Sequence, residues 1–214
     1  MRWIYLSPHL DDAVLSAGGL IYDQVQSATP VEVWTLMSGY PPDGEFSQFA
    51  QLQHYVWGFP SAEEAVRARR EEDRKALDIL GAEPVHLDFL DCIYRRGSGG
   101  DWLYSDISVP PHAEDTGLPD QIAGMLSIRL MPDDVVVCQL AVGSHVDHVI
   151  TRQGAELLGR PLVYTIDIPY FFSTPGELLQ KSAGMMETLH PISGRASSAR
   201  GLHTFSNDSP MTSN

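Results

Sequence analysis

The stretch LSPHLDDAVLSAGG, residues 6–19, joins the end of a short apolar run to the start of a helical pattern. His9, Asp11 and Asp12 fall at this junction, where a predicted strand ends and a predicted helix begins. One carboxylate at a helix start is explained by capping of free N–H groups and by the helix dipole. Capping explains neither a second carboxylate nor the histidine before the pair, so the stretch also predicts a ligand site.

Short runs rich in β-branched and aromatic residues alternate with longer helical patterns along the chain. The runs are almost continuously apolar, which is typical of parallel strands that helices cover on both faces. The predicted strands are residues 3–7, 31–38, 84–89, 134–142 and 161–168. The predicted helices are residues 11–28, 61–80, 117–130, 145–159 and 175–189. The alternation predicts an α/β fold with an open, mostly parallel sheet and helices on both faces.

Local signals mark some of the predicted helix ends. Ser61 and Glu64 have the spacing of a capping box, and so do Thr174 and Glu177. Gly81 directly follows Leu80, the last residue of the predicted helix 61–80, where a glycine commonly ends a helix. These signals support helices that begin near residues 61 and 175.

The length of 214 residues fits one domain, which we expect to span residues 1–189. Residues 190–214 contain few large apolar side chains, so we expect an irregular or poorly ordered tail there. Two long connections, residues 39–60 and 90–116, hold several aromatic and charged side chains. Connections of this length are usually functional, which favours binding loops, while packing of the aromatics onto the core is an equal alternative.

Composition restricts the classes of partner. The chain has 28 acidic and 14 basic residues, for a formal net charge of -14. Such a surface repels phosphate backbones and anionic lipids, so we expect neither a nucleic-acid nor a membrane partner. Met1 leads directly into a strand pattern without the features of a signal peptide, which predicts a cytoplasmic location. Cys92 and Cys138 are expected to be free thiols.

A second polar group follows another strong strand pattern. Residues 141–149 read AVGSHVDHV and open a predicted helix. His145 and His148 are three residues apart, so they share a face of that helix. If both strands lie centrally in a parallel sheet, this group and the group at residues 9–12 face one crevice at the carboxyl ends of the strands.

Together the two groups offer the ligands of a catalytic metal site. A His, Asp and His set suits Zn²⁺ with one position open for water, and Fe²⁺ uses the same ligand types. One of Asp11 and Asp12 would bind the metal and the other would act as the base, although spacing alone does not say which. The remaining histidine would stabilise the oxyanion or protonate the leaving group, with Asp147 orienting it. These groups are suited to metal-assisted amide hydrolysis.

The motifs resemble those of a known family. Pro8–Asp12, followed by Gly18 and Gly19, is similar to the first signature of the LmbE-like, or PIG-L, zinc-dependent deacetylases. The sequence His145–His148 resembles their second motif. The segments Arg69–Gly81 and Leu87–Asp91 resemble the family segments between the two. The resemblance covers roughly residues 1–160 in order and spacing.

This resemblance implies a Rossmann-like fold and removal of an N-acetyl group from an N-acetylglucosamine-type sugar or a small glycoconjugate. It also implies roles for individual residues. The implied metal ligands are His9, Asp12 and His148, the catalytic residues are Asp11 as base and His145 as acid or oxyanion stabiliser with Asp147 beside it, and the substrate-binding residues are Arg69 and Asp91. The expected cofactor is Zn²⁺, with Fe²⁺ as the alternative.

The sequence departs from the family pattern at two positions. Leu10 stands where a proline is usual, and Gly143 stands where some sugar deacetylases have a tyrosine that touches the substrate. The second departure leaves the oxyanion partner open. Trp57, Trp102 and Tyr104 are candidate stacking surfaces for the sugar or, equally, core residues.

Two other interpretations remain open at this point. A non-catalytic α/β binding module would use the residues after the first strand as helix caps and would bind no metal tightly. A metal-dependent hydrolase of another amide or an ester would keep the ligands and change the bond that is cleaved. No P-loop or GxGxxG motif follows a predicted strand, so no nucleotide cofactor is expected. Self-association into a homo-oligomer is compatible with the sequence.

Overall fold

The computed structural model describes residues 1–183 and two further strands. The seven strands are β1 (Trp3–Ser7), β2 (Val31–Thr35), β3 (Glu83–His86), β4 (Val135–Gln139), β5 (Leu162–Thr165), β6 (Met186–Leu189) and β7 (His203–Ser206). The helices are α1 (Asp12–Gln26), α2 (Gln48–Trp57), α3 (Ala62–Leu80), α4 (Leu118–Arg129), α5 (Val146–Glu156), α6 (Tyr170–Ser173) and α7 (Glu177–Lys181). Two short 3₁₀ turns lie at Cys92–Tyr94 and Ala113–Asp115.

The strands form one sheet in the order β3-β2-β1-β4-β5-β7-β6. The first five strands of this order run parallel, and β7 and β6 continue the sheet antiparallel. The chain moves outward from β1 to β2 and β3, then returns to the other side of β1 for β4 and β5. The order therefore reverses between β1 and β4, and a crevice opens at their carboxyl ends. This confirms the predicted α/β fold.

Two apolar layers cover the two faces of the sheet. Tyr5 of β1 packs with Ile21 of α1 and Leu77 of α3 on one face. Ile4 and Leu6 point to the opposite face and pack in a larger cluster with side chains of α4, α5 and the two long connections. The alternation along β1 places this strand at the centre of the molecule, because both of its faces are buried.

The N-terminal ends of helices follow the local signals in one case and not in the other. Ser61 Oγ accepts a hydrogen bond from Glu64 N at 3.2 Å, so the first capping position is confirmed. The predicted helix 175–189, which carries the other capping signal, is shorter in the structure. Helix α7 ends at Lys181, and residues 186–189 form β6 instead. Gly176 precedes α7, and the Glu177 carboxylate accepts hydrogen bonds from Gly143 N and the Ser144 hydroxyl. Glu177 N donates to the carbonyl oxygen of Thr174 rather than to its side chain. A tertiary contact has replaced the predicted cap.

Helix α2 lies within the predicted connection 39–60 and was not predicted. Ser47 Oγ caps it by accepting from Ala50 N at 3.0 Å, and Gly58 ends it in the left-handed conformation with φ 78°. Its large apolar side chains Tyr55 and Val56 are 83% and 68% exposed. Because these side chains face outward, the apolar spacing does not mark the buried face of the helix.

The domain boundary at residue 189 stays a prediction. The predicted tail, residues 190–214, lies outside the described residues except for β7 at His203–Ser206, which pairs with β5. Within the described residues, no helix combines the length and apolar character needed to cross a membrane.

Leu77→Ala is expected to lower the free energy of unfolding by about 2–5 kcal/mol, because Leu77 of α3 is fully buried against α1 and the sheet. The matched control is Ile79→Ala on the same helix, where the side chain is 79% exposed and the change should stay within about 0.5 kcal/mol. Urea unfolding monitored by circular dichroism measures both. Equal losses in the two variants would contradict the packing of α3 against α1.

Candidate metal centre and active site

The two polar motifs meet at the crevice between β1 and β4. These strands are parallel neighbours, with Trp3 opposite Val135 and Tyr5 opposite Val137. Each strand leads through a short loop into a helix, α1 after β1 and α5 after β4. The predicted meeting of residues 9–12 with residues 145–148 is therefore confirmed.

The aspartates after β1 do not serve as ordinary helix caps. Asp11 occupies the capping position of α1, but its side chain makes no capping hydrogen bond. Asp12 Oδ2 instead accepts a hydrogen bond from His9 N at 2.8 Å. Ser7 Oγ accepts from Ala13 N at 3.0 Å and so supplies the side-chain cap. Both carboxylates thus remain available for chemistry, contrary to the interpretation of this segment as caps alone.

One nitrogen of each of two histidines lies beside the same carboxylate oxygen. Asp12 Oδ2 lies 3.2 Å from His9 Nδ1 and 3.2 Å from His148 Nε2. All three residues are buried, and His148 Nε2 has no hydrogen-bond partner among the described residues. Bond lengths of 2.0–2.1 Å place neighbouring ligands of a tetrahedral zinc ion about 3.3 Å apart. The chemistry of the donors, the two distances to Asp12 Oδ2 and the unpartnered nitrogen fit a divalent metal ion. Nitrogen atoms of His9, His145 and His148 also lie within 4.8 Å of one another.

The other nitrogen of each of these histidines faces a buried carboxylate. His148 Nδ1 lies 2.8 Å from Asp167 Oδ1, and His9 Nε2 lies 3.0 Å from Asp147 Oδ2. When each of these nitrogens donates to its carboxylate, His148 Nε2 and His9 Nδ1 are left with free lone pairs. Metal-binding histidines are commonly held in this way, which fixes the ring and its tautomer.

Sequence reasoning missed Asp167. This residue is completely buried two positions after β5, and its Oδ2 also accepts a hydrogen bond from Val142 N at 2.9 Å. The rule that drew attention to residues 9–12 and 145–148 applies here as well, since Asp167 follows the end of a parallel strand. It was overlooked because the predicted strand ran through residue 168.

The structure corrects the predicted contact of Asp147. Its carboxylate was expected to orient His145, but it contacts His9, Cys92 N at 2.9 Å and Arg95 Nη1 at 2.6 Å. The backbone N–H of Asp147 donates to His145 Nδ1 at 3.2 Å. Because Asp147 lies in the first turn of α5 while His145 precedes the helix, the two side chains leave the backbone in different directions.

His145 differs from the other two histidines in its hydrogen bonding. Its Nδ1 accepts from Asp147 N, so in the neutral ring the proton is on Nε2. Loss of hydration lowers the pKa of His145 to about 3, and the neighbouring His9 adds to the shift. His145 is therefore a neutral imidazole with an N–H to donate, and that tautomer has no lone pair for a metal at Nε2.

Asp11 is the free carboxylate of the site. Its side chain is about half exposed, and Oδ2 lies 3.7 Å from Arg69 Nη2. Partial loss of hydration and the charge of Asp12 raise its pKa above the ordinary value. The residue borders the same pocket as His9 and His145.

The pocket above these residues has a volume of about 350 Å³. The predicted substrate residues Arg69 and Asp91 both line it, as does Trp57. The Arg69 guanidinium lies over the Trp57 ring, 4.7 Å from its centre. Asp91 Oδ1 accepts from Ile93 N at 3.1 Å, which holds the carboxylate at the pocket wall. The volume is at the lower end of the range for small-molecule sites and fits a single sugar unit.

The other two aromatic candidates lie elsewhere. Tyr104 is 4% exposed and donates to Asp115 Oδ2 at 2.6 Å, so it belongs to the core. Trp102 packs under the Arg96 guanidinium at 3.7 Å and does not line the pocket.

Tyr170, which sequence reasoning missed, occupies the space above Gly143. A Cβ atom added to Gly143 would lie 2.6 Å from Tyr170 Cβ, and Gly143 has φ 88°. The Tyr170 ring lies edge-on to the rings of His148 and His145, at 5.2 and 6.2 Å between centres. A tyrosine therefore lines the pocket beside the histidines even though residue 143 is glycine. No local pattern marks Tyr170, since only the fold brings α6 next to the loop after β4.

The loop after β4 is held in an unusual backbone conformation. Ala141 and Ser144 have φ 58° and φ 55°, in the left-handed region that costs about 1–3 kcal/mol for residues other than glycine. Asp167 binds Val142 N, and Glu177 binds Gly143 N and the Ser144 hydroxyl at 3.0 Å each. These contacts fix the loop and thereby the position of His145.

Comparison with known proteins identifies the family of the chain. Residues 4–158 match the PIG-L family, described as GlcNAc-PI de-N-acetylase. The chain belongs to the PIG-L family. The matched region contains both motifs and the segment between them, while Asp167 and Tyr170 lie beyond it.

This PIG-L chain is similar to proteins of known activity and structure. It is 25% identical over 213 residues to the 2'-N-acetylparomamine deacetylase of Niallia circulans, covering 89% of this chain and 74% of the relative. It is 35% identical to a deacetylase of teicoplanin biosynthesis solved as a bog complex, with TM-score 0.72 and coverage of 82% and 71%. It is 33% identical to the zinc-inhibited form of teicoplanin deacetylase, with TM-score 0.71 and the same coverage of both chains.

Asp167→Asn is expected to weaken metal binding by about 10–100-fold, because the amide does not hold His148 Nδ1 as a carboxylate does. Zinc titration against a chromophoric chelator measures the affinity. Asp23→Asn is the matched control, since Asp23 is exposed near the C-terminal end of α1, away from Asp12 at the start of that helix. Unchanged affinity in a folded Asp167→Asn variant would contradict the role of Asp167.

Proposed function

We propose that this PIG-L protein is a zinc-dependent hydrolase that removes the N-acetyl group from an N-acetylglucosamine-type sugar or small glycoconjugate. The observation that carries the proposal is the convergence of His9 and His148 on Asp12 Oδ2 at 3.2 Å each, beside a free carboxylate and a neutral imidazole in one pocket. Membership of a de-N-acetylase family and similarity to deacetylases of N-acetylated sugar compounds support it.

The metal ligands in this proposal are His9 Nδ1, Asp12 Oδ2 and His148 Nε2. Zn²⁺ suits two imidazoles and one carboxylate with an open position, and Fe²⁺ accepts the same set. When bound there, the ion supplies Lewis acidity that lowers the pKa of water and polarises the amide carbonyl. Zinc is proposed first because two imidazoles and one carboxylate with an open position are typical ligands of a catalytic zinc ion, and Fe²⁺ is the alternative.

Asp11 is the proposed general base. It is next to a metal ligand but is used neither as a ligand nor as a cap, and its side chain reaches into the pocket. A carboxylate there accepts the proton of the water that attacks the amide. The contact with Arg69 at 3.7 Å keeps the carboxylate beside the pocket floor.

His145 is the proposed oxyanion stabiliser and acid. Its Nε2–H is available for donation because Nδ1 is already occupied by Asp147 N. A neutral N–H donor stabilises the negative charge that develops on the carbonyl oxygen. As acid, His145 would first take up the proton that Asp11 removes from the water and then pass it to the leaving nitrogen, so that the ring returns to its neutral form. Asp147 contributes indirectly, because its backbone fixes the His145 tautomer and its carboxylate orients His9.

The substrate side of the pocket favours a polar, uncharged sugar. Arg69 and Asp91 offer a donor and an acceptor for sugar hydroxyls, and Trp57 forms an aromatic wall between α2 and α3. The formal charge of -14 disfavours a strongly anionic substrate. The relatives named above deacetylate an acetylated paromamine and act in teicoplanin biosynthesis, so an amino-sugar glycoconjugate is the proposed substrate class. The cytoplasmic location and the homo-oligomer stay predictions.

Asp11→Asn is expected to retain one equivalent of zinc and to lose about 10²–10⁴-fold in kcat, because the base is removed while the ligands stay. Release of free amine from a panel of N-acetylated amino sugars, with and without a chelator, measures activity, and elemental analysis measures zinc. Asp23→Asn serves again as the control. A metal-loaded Asp11→Asn variant with full turnover would show that another group takes the proton.

His148→Ala and His145→Ala are expected to separate ligand from catalyst. The first should lose the metal, because one of three ligands is removed. The second should keep the metal and slow turnover by about 10²–10³-fold, the range seen when one oxyanion donor is lost. Metal content and amine release are measured on both. Loss of metal from His145→Ala alone would mean that the two histidines exchange roles.

A further inference from the structure

Arg95 is a buried arginine that lies next to the metal centre without lining the pocket. It is 7% exposed and comes from the long connection 90–116. Its Nη1 lies 2.6 Å from Asp147 Oδ1 and donates to the carbonyl oxygen of Leu90 at 2.9 Å. Its Nε donates to Asp115 Oδ2 at 2.8 Å. The guanidinium thus bridges two carboxylates, one in the motif at the start of α5 and one at the far end of the connection 90–116.

The Asp115 end of this bridge is rigid. Asp115 is 7% exposed, and its Oδ2 also accepts from Tyr104 Oη at 2.6 Å. The Arg95 guanidinium lies over the Tyr104 ring, 5.0 Å from its centre. Tyr104 Oη in turn accepts from His112 N at 2.9 Å. An arginine held by two ion pairs, a carbonyl and an aromatic face has little freedom to move.

The Asp147 end of the bridge leads to His9. Asp147 is completely buried and places its second oxygen 3.0 Å from His9 Nε2. When His9 is a neutral metal ligand, it donates an N–H but brings no positive charge to Asp147. Within the described part of the chain, Arg95 is then the permanent cation in contact with this carboxylate. A buried carboxylate without a counter-charge is strongly destabilising, so Arg95 is needed for Asp147 to stay in place as an anion.

We infer that Arg95 is a positioning residue of the metal centre: its guanidinium ties Asp147 to Asp115 and so holds His9 with Nδ1 directed at the metal. The inference rests on the proposed function, because it takes His9 as a ligand. It also assigns a purpose to the connection 90–116, which supplies both Arg95 and its anchor Asp115. The contacts form a chain from Asp115 through Arg95 and Asp147 to His9, with no separation above 3.0 Å.

The test is the metal affinity and ligand geometry of Arg95→Met in the full chain. Co²⁺ is the probe, with affinity measured against a chromophoric chelator and geometry read from the visible absorption bands of bound Co²⁺. We expect affinity to fall about 10–100-fold, as for loss of other groups that orient metal-binding histidines, with shifted absorption bands. Arg95→Lys keeps the charge but cannot reach both carboxylates, so it should recover only part of the affinity.

Arg96→Met is the matched control. Arg96 is the next residue in the same connection, stacks on Trp102 and donates to Glu45 O at 2.7 Å, but it touches no residue of the centre. It should bind Co²⁺ with wild-type affinity and spectrum. If Arg95 only supports the structure of the loop, Arg95→Met and Arg96→Met should change the Co²⁺ affinity to a similar extent and leave the absorption bands of bound Co²⁺ unchanged.

Combining Arg95→Met with Asp147→Asn separates positioning from general destabilisation. If Arg95 acts through Asp147, its loss should cost no further affinity once Asp147 is neutral. The double variant also removes the uncompensated buried charge, so it should fold even where Arg95→Met does not. If Arg95→Met lowers the Co²⁺ affinity equally in the wild type and in Asp147→Asn, the inference is overturned. Wild-type affinity and spectrum in Arg95→Met would also overturn it. Where Arg95→Met does not fold, the same result in Arg95→Lys would do so.

His148→Ala, measured in parallel, distinguishes this inference from the proposed function. If His148→Ala retains a full equivalent of Co²⁺, the proposed ligand set is wrong and with it the premise of the inference. If His148→Ala loses the metal while Arg95→Met binds like the wild type, only the role of Arg95 fails.

Discussion

The parallel pairing of β1 with β4 is the constraint on which the site depends. Neighbouring strands lie about 4.8 Å apart, so loops that leave two adjacent carboxyl ends start within reach of each other. In this chain each of those ends continues almost at once into a helix, which leaves little freedom in the direction of the side chains. The result is that His9 and His148, 139 positions apart in the sequence, stand at equal distances of 3.2 Å from one oxygen of Asp12.

Buried carboxylates determine the protonation and orientation of the histidines in the site. Asp12, Asp147 and Asp167 are at most 5% exposed, and each lies against at least one imidazole nitrogen. Burying charges costs stability unless they are paired, so these contacts are strongly coupled to folding. They also determine which nitrogen of each ring carries a proton, and hence which nitrogen is free for a metal. In the part of the chain that the structure describes, no hydrogen bond joins His145 to a carboxylate, which suits this ring to donate its N–H rather than to bind the ion.

The two long connections complete the site from outside the α/β framework. The first contains α2, which contributes Trp57 to the pocket wall, and the second carries Asp91 to the pocket and Arg95 to the interior. Binding loops were one of two sequence-based interpretations of these segments, and packing onto the core was the other. The structure shows both within the second connection, because Tyr104 is buried while Asp91 borders the pocket.

The sequence by itself determined the α/β class, the placement of both motifs at strand ends and the choice of candidate residues, because apolar periodicity and adjacent polar groups are local properties. The sequence did not predict α2, because apolar side chains on the exposed face of that helix obscure its periodicity. It also did not predict the strand at residues 186–189. Only the tertiary structure decided that the Asp147 carboxylate lies against His9 Nε2 and that the Asp167 carboxylate lies against His148 Nδ1. It also decided that Tyr170 packs against Gly143. Each of these contacts joins segments that are distant in the chain, and the direction of a side chain across such a gap is set by packing rather than by neighbouring residues.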